Sequence, residues 1–320
     1  MLAWFTSFGS LQRVGIEATG TYGAGIARHL ARAGVPVLEV TGPDLALRRG
    51  AGKDDVLDAI AAAQAALTGQ RVQVAKERSG AVEALRVLRT TRKTAVRCRR
   101  ATLQQLHNTI VAAPDELRDQ LRHLTRMRRP RTCASWRPDT VAYRDEVVAT
   151  RIALRSLARR ILELSDEIAD LDRLIAPLVA ELASGLLALP GVGVANAGEL
   201  LVTAGQNPNR LRSEAGFAML CGVCPIPASS GKTVRHRLNR GGDRQANSAL
   251  HMIVVYRMRR DARTKAYVER RTAEGLGKRE IMRGLKCPSK RGNSNSSVHD
   301  GRSPTSRPTD PADDTRSGNS

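Results

Sequence analysis

The sequence predicts an α/β unit followed by a longer, mainly helical region, and three observations lead there. The first 75 residues alternate β-rich and helical patterns; from about 80 to 183 apolar side chains recur at helical spacing among many cations; and Leu or Ile returns every three or four positions from Leu154 to Leu182. Four segments follow: an α/β part over 1–75, a basic helical and coiled-coil part over 76–183, a mainly helical part over 184–286 and a tail over 287–320.

In chain order, "RVGIEAT" (13–19) is a short β-rich run, "TYGAGIARHLARAG" (21–34) has helical apolar spacing closed by Gly34, and "VPVLEV" (35–40) reads as a second strand. Such a strand, helix, strand unit ordinarily makes a parallel pair. A loop then leads to an Ala-rich helix that carries Asp55 and Asp58. The next segment sets seven Lys or Arg between Arg86 and Arg100, among Leu85, Leu88, Val96 and Leu103, so one face can pack while the other meets phosphate.

Leu154, Leu157, Ile161, Leu164, Ile168, Leu171, Ile175, Leu178 and Leu182 form a heptad seam, which predicts a coiled coil or long hairpin joining subunits; an amphipathic helix on its own core reads the same way. Pro177 lies within the seam, where loss of a helical hydrogen bond predicts a kink. In "LLALPGVGVANAGELLVTAG" (186–205) a Pro-Gly-x-Gly turn joins two apolar helical runs. It has the form of a helix-hairpin-helix, whose glycines let backbone N–H groups approach a phosphate, and equally of a plain turn between packed helices. The last 34 residues hold eight Ser, no Leu or Ile and one Val, a composition that buries no core and predicts disorder.

Charge narrows the partner. Lys and Arg total 52 against 31 Asp and Glu, a formal charge of +21, which favours a polyanion. No apolar run reaches the roughly 18 residues that span a bilayer, and the first residues lack the features of a signal peptide, so the expected location is the cytoplasm without membrane attachment. The five cysteines are an odd, scattered set and describe no disulfide framework; the pair in "CGVC" (221–224) reads as buried small apolar residues ahead of a zinc site.

Two constellations carry chemistry. Glu17 closes a strand, where α/β folds place their sites, and Asp55 and Asp58 share a helix face. Acids converging in this way select magnesium or manganese, and a pair of such ions serves phosphodiester cleavage. The same spacing also suits acids that do no more than favour a helix N-terminus. The second constellation is "ASSGKTVRHRLNRGGDRQAN": Ser229 and Ser230 on a Gly-flanked loop, followed by Lys232, Arg235, His236, Arg237, Arg240 and Arg244. A serine that attacks phosphorus needs exposure, nearby cations and donors facing the phosphoryl oxygens; a loop that touches backbone phosphates without chemistry needs the cations alone. Ile226 stands where a P-loop would have its first glycine, which argues against nucleotide hydrolysis.

Taken together, "VGIEATGTYG", "GKDDVLDA", "LPGVGVANAGELL" and "CGVCPIPASSGKTVRHRLNRGGDRQANSAL" resemble, in order, the DEDD transposases of the insertion-sequence-110 type over residues 1–286. The resemblance implies a partial RNase H-like, resolvase-like domain, a helical coiled-coil region and a mainly helical C-terminal transposase domain. By position Glu17, Asp55 and Asp58 match three metal-binding acids, and Ser230, with Ser229 beside it, matches the nucleophilic serine. It implies Mg2+ or Mn2+, donor and target DNA joined through phosphoserine, a structured guide RNA, and a dimer or tetramer. Arg92, Lys93, Arg97, Arg99, Arg100, Lys232, Arg235, Arg237, Arg240 and Arg244 are the expected nucleic-acid contacts. No residue matches the family's first Asp, and the composition changes abruptly after "GKREIMRGLKC". The expectation is a transposase and DNA recombinase whose chain begins inside the domain and ends after a frameshift, with three of four acids to hold its ions loosely and the activity of this copy left open. The rival expectations are a non-catalytic nucleic-acid-binding oligomer and a Holliday-junction-resolvase-like nuclease without a serine step.

Overall fold

The computed structural model describes residues 1–40, 54–211, 213–224, 226–228, 236–237 and 239–286. The described residues are mostly helical, with a small mixed sheet near the N-terminus. Helix α1 (Leu2–Thr6) leads to β1 (Val14–Ile16), α2 (Ala24–Arg32), β2 (Val37–Val40), α3 (Asp55–Thr68) and β3 (Val72–Val74). β1 pairs parallel with β2, Gly15 opposite Leu38, as a strand, helix, strand unit requires; β3 then adds antiparallel to the other edge of β2, with Val72 opposite Val40.

Helix α3 begins because the Asp54 side chain accepts the Val56 N–H at 3.0 Å, and ends at Gly69, whose φ of 70° is a left-handed cap. It crosses β1 where there is no room for a side chain: a Cβ on Gly15 would stand 2.5 Å from the Ala62 carbonyl oxygen. Ile16, Leu30, Val40, Ala62 and Ala66 are the buried apolar residues of this layer.

The long helices α4 (Gly80–Val111) and α7 (Glu146–Leu187) run antiparallel, as the ties Arg92 to Asp172 and Arg99 to Ser165 show, since one number rises while the other falls. Helices α5 (Asp115–Arg122) and α6 (Arg128–Ser135) lie between them in sequence. At one end Leu106, Ile110, Leu121, Cys133, Leu154, Ala158 and Ile161 form a core. Every second position of the heptad seam is buried within the chain, at Leu154, Ile161, Ile168 and Ile175, while Leu157, Leu164, Leu171, Leu178 and Leu182 are half-buried. Pro177 does not break α7; the non-helical residue is Ala183, at φ −149° and ψ 44°. Proline is tolerated there on an exposed position of a long helix whose flanking side chains are packed.

The second core joins the other ends of α4 and α7 to α8 (Val194–Ala204), α9 (Glu214–Leu220) and α10 (Arg244–Arg260) through Leu85, Val179, Leu200, Cys221 and Ile253. Residues 226–227 (β4) and 236–237 (β5) pair antiparallel, and α11 (Ala262–Ala273) and α12 (Lys278–Lys286) complete the described fold. Cys221 is buried, as expected of a small apolar residue, and burial pushes its thiol up to about 12. No helix among the described residues is long and apolar enough to cross a membrane. The tail over 287–320, expected to be disordered, lies outside the described residues.

The α/β layer is fastened to the C-terminal helices through a short linker. Lys76 Nζ donates to the Val202 carbonyl at 2.7 Å, Asn207 Nδ2 donates to the Ala75 carbonyl at 3.0 Å, and Asn207 Oδ1 accepts the Glu77 N–H at 3.0 Å. All of these residues fall within one compact unit, Met1–Cys287.

Candidate functional site

Glu17 follows β1 and is half-buried, beside a tight turn in which Ala18 takes φ 51° and Gly23 leaves no room for a Cβ against the Glu17 carbonyl, 2.8 Å away. Asp55 is exposed and Asp58 half-buried in the first turn of α3. The three acids do not gather. Among the described residues no group of three or more His, Cys, Asp or Glu stands close enough to hold a metal ion.

The reason lies in the connection after α3. Only Gly69, Gln70 and Arg71 separate that helix from Val72, whose partner is Val40, and an extended chain covers at most about 3.5 Å per residue. The C-terminal end of α3 is thus held at the end of the sheet where Glu17 sits. Asp55 and Asp58 occupy the other end of a 14-residue helix, about 20 Å long at 1.5 Å per residue. The residues present do not fit the expected magnesium or manganese ion.

The basic face of α4 is partly committed to structure. Arg92 holds Asp172 with two donors, Nη2 to Oδ2 at 2.9 Å, and Arg99 reaches Ser165 at 3.4 Å. Lys93 lies 2.6 Å from Glu199, which also accepts from Arg89 at 2.8 Å. Arg97 and Arg100 are exposed. Sequence reasoning missed Glu199, an acid within the apolar run "GELLV" that meets the cations of α4 in a nearly dry setting. These groups border a pocket of about 370 Å³, lined on its other sides by Val194 and Asn196 of α8 and by Gln245 and Ser248 of α10.

Of the second constellation, Ser229, Ser230, Lys232 and Arg235 lie outside the described residues. What frames them is described: β4 and β5 pair through Ile226 and Arg237, while Arg237, Arg240 and Arg244 are exposed. Downstream, Asp243 locks the frame. Its Oδ1 accepts the Gln245 and Ala246 N–H groups at 2.8 and 3.1 Å, its Oδ2 accepts the hydroxyl of buried Thr203 at 3.0 Å, and its own N–H donates to the Leu220 carbonyl at 2.7 Å. One residue thereby caps α10 and ties it to α8 and α9. "GGD" ahead of a helical run was the available signal for this cap. Gly222 and Gly242 pack backbone to backbone at this point, and a Cβ on Gly242 would come within 2.2 Å of the Gly222 Cα.

Comparison with known proteins follows the same two regions. Residues 1–114 match the family model for DEDD transposases of the IS110 type, described as Transposase, and residues 183–269 match the model described as Transposase IS116/IS110/IS902 family. A segment of 91 residues is 34% identical to the insertion element IS110 uncharacterized 43.6 kDa protein of Streptomyces coelicolor. That match covers 28% of this chain and 22% of the relative.

Proposed function

The chain belongs to the IS110-type transposases, and from that premise we propose that it is a DNA recombinase that cuts and rejoins strands through the hydroxyl of Ser230. One observation carries the reading: the two family matches fall, in order, on the sheet-bearing N-terminal part and on the helices that frame the serine loop. The sheet with its flanking helices is read as part of an RNase H-like domain.

In the proposed step the Ser230 Oγ attacks a backbone phosphorus, an O–P bond forms, and the bond from phosphorus to the leaving strand breaks. The serine proton ends on the departing alkoxide. Lys232 and Arg235, close in sequence, and Arg237 on β5 supply positive charge for the developing phosphoryl oxygens. Ser229 is the alternative nucleophile. Donor and target DNA are the proposed substrates, and a structured guide RNA the proposed partner that selects them by base pairing. A DEDD domain would ordinarily use magnesium or manganese, but Glu17, Asp55 and Asp58 do not meet in this fold.

That separation of the acids favours a second reading, a nucleic-acid-binding protein without strand cleavage. Incubation of the full chain with the ends of its own element, RNA and Mg2+, followed by a denaturing gel, separates the two. The recombinase yields a covalent protein–DNA band that disappears in Ser230→Ala. The non-catalytic protein yields none while retaining salt-sensitive binding. Cleavage that survives Ser230→Ala but is lost in Asp55→Ala points to a resolvase-like nuclease instead.

A further inference from the structure

A pocket of about 300 Å³ opens between the turn after α9, β5, α10 and α12, and its wall carries Arg237, His251, Arg279, Arg283 and Lys286. Four permanent or near-permanent cations converge there from two separate elements, β5 and α12, and among the described residues no carboxylate lines the wall. None of the ion pairs among the described residues involves any of the four. The sequence over 225–238, which includes Arg237 of the pocket wall, contains no Asp or Glu.

The arrangement is built rather than accidental. Arg279, Arg283 and Lys286 stand at spacings of four and three on α12, hence on one face, while Ile281 is turned into the core at 2% exposure. Lys286 Nζ donates to Asn247 Oδ1 at 3.1 Å, and Asn247 Nδ2 donates to the Gly222 carbonyl at 2.8 Å. A single amide therefore fixes both the lysine and the glycine turn that forms the opposite wall. Met282 and Val223 supply the apolar remainder. Gathering like charges in a partly dry setting costs free energy, and that cost is recovered when an anion enters. Burial and the neighbouring Lys286 both hold His251 below the usual imidazole range, and burial lowers Lys286 too; a bound anion would reverse both effects.

We propose that this pocket binds a backbone phosphate of the DNA strand lying next to the serine loop, with Arg279, Arg283, Lys286 and Arg237 as its contacts. The choice of DNA rests on the recombinase reading; the anion site itself rests on the pocket. Cys224 and Arg237 belong to the pocket wall and, in sequence, flank the segment that carries Ser230.

The test is fluorescence anisotropy of the full chain with a short labelled DNA duplex across a salt series. Arg279→Gln/Arg283→Gln is expected to weaken binding about tenfold and to flatten the slope of log K against log salt by about 1 to 2, as two cations leave the phosphate contacts. Arg237→Gln, on the hairpin and not on α12, should shift the slope in the same direction by about 1, and it serves if the double variant loses its circular-dichroism signature. Unchanged affinity and slope in folded variants overturns the proposal. So does a loss confined to an RNA probe with DNA binding intact, or inorganic phosphate that binds the wild type more tightly than the variants while duplex binding stays the same. The covalent reaction is read separately in Ser230→Ala. If that variant also forms the same covalent band, the serine assignment falls while the pocket stands.

Discussion

Glu199 is an acid that a reading of spacing passes over, because one carboxylate inside "AGELLV" looks like the polar side of an amphipathic helix. Folding places it at 8% exposure against Arg89, itself at 8%, with Lys93 at the rim. Removing one member of a buried pair leaves the other without compensation, so Glu199→Gln should lower stability by about 3 kcal/mol. Urea denaturation of the two proteins reads this directly. A more exposed pair answers to pH. The Arg86 guanidinium, donating at 2.7 and 2.8 Å, holds the Glu83 carboxyl below the ordinary carboxylate range, and Arg78 and Arg28 act in the same direction. A carboxylate with a depressed folded-state pKa stabilises above its unfolded value and loses that contribution as pH falls. The urea midpoint should therefore drop on acidification through the carboxylate range, and by less in Glu83→Gln, with only a few tenths to about 1 kcal/mol at stake. Glu17, Asp55 and Asp58 teach the converse. Their spacing showed that two could share a helix face, but convergence with the first depends on which way α3 runs across the sheet, and a chain of three residues after Thr68 decides that.

The helices show where periodicity suffices and where it does not. Residues 21–34 and the two strands around them were legible because β-branched runs and a closing glycine bracket a helical pattern; α2 and the parallel pair lie within those limits. β3 was not legible: three residues, one side chain half-buried and two exposed, give no alternation to read. The seam from Leu154 to Leu182 was visible as a seam, yet its partner was not, since heptads state that a stripe must be covered without saying by what. The cover is α4, α6 and the C-terminal helices of the same chain. It follows that truncating a buried position of the seam costs stability rather than assembly. Leu154→Ala, at 0% exposure, should destabilise by about 2 to 5 kcal/mol, as measured by urea midpoint. A change in oligomeric state at unchanged stability would contradict that account. The basic helix was likewise half read: Arg97 and Arg100 remain open for phosphate, while Arg92 and Lys93 answer to Asp172 and Glu199.

Across the whole molecule, a charge of +21 on 320 residues makes nucleic acid the natural partner, and the family assignment makes DNA its proposed substrate. The architecture distributes that role. A small mixed sheet is tied by Lys76 and Asn207 to the C-terminal helices, the antiparallel α4–α7 pair runs between two cores, and Asp243 fixes the frame around the serine loop. The composition pointed to a polyanion without showing where it would sit, because Arg237, Arg279, Arg283 and Lys286 meet only once α12 folds back beside the glycine turn. The account turns on the serine. Mass spectrometry of tryptic peptides, taken after the full chain has reacted with its own element's DNA and RNA and been treated with nuclease, tests it most directly. A nucleotide remnant, linked through phosphate, is expected on Ser230 in the tryptic peptide 213–232. Complete recombination products with that peptide unmodified at every time point, or a remnant on a residue outside the loop, would contradict it.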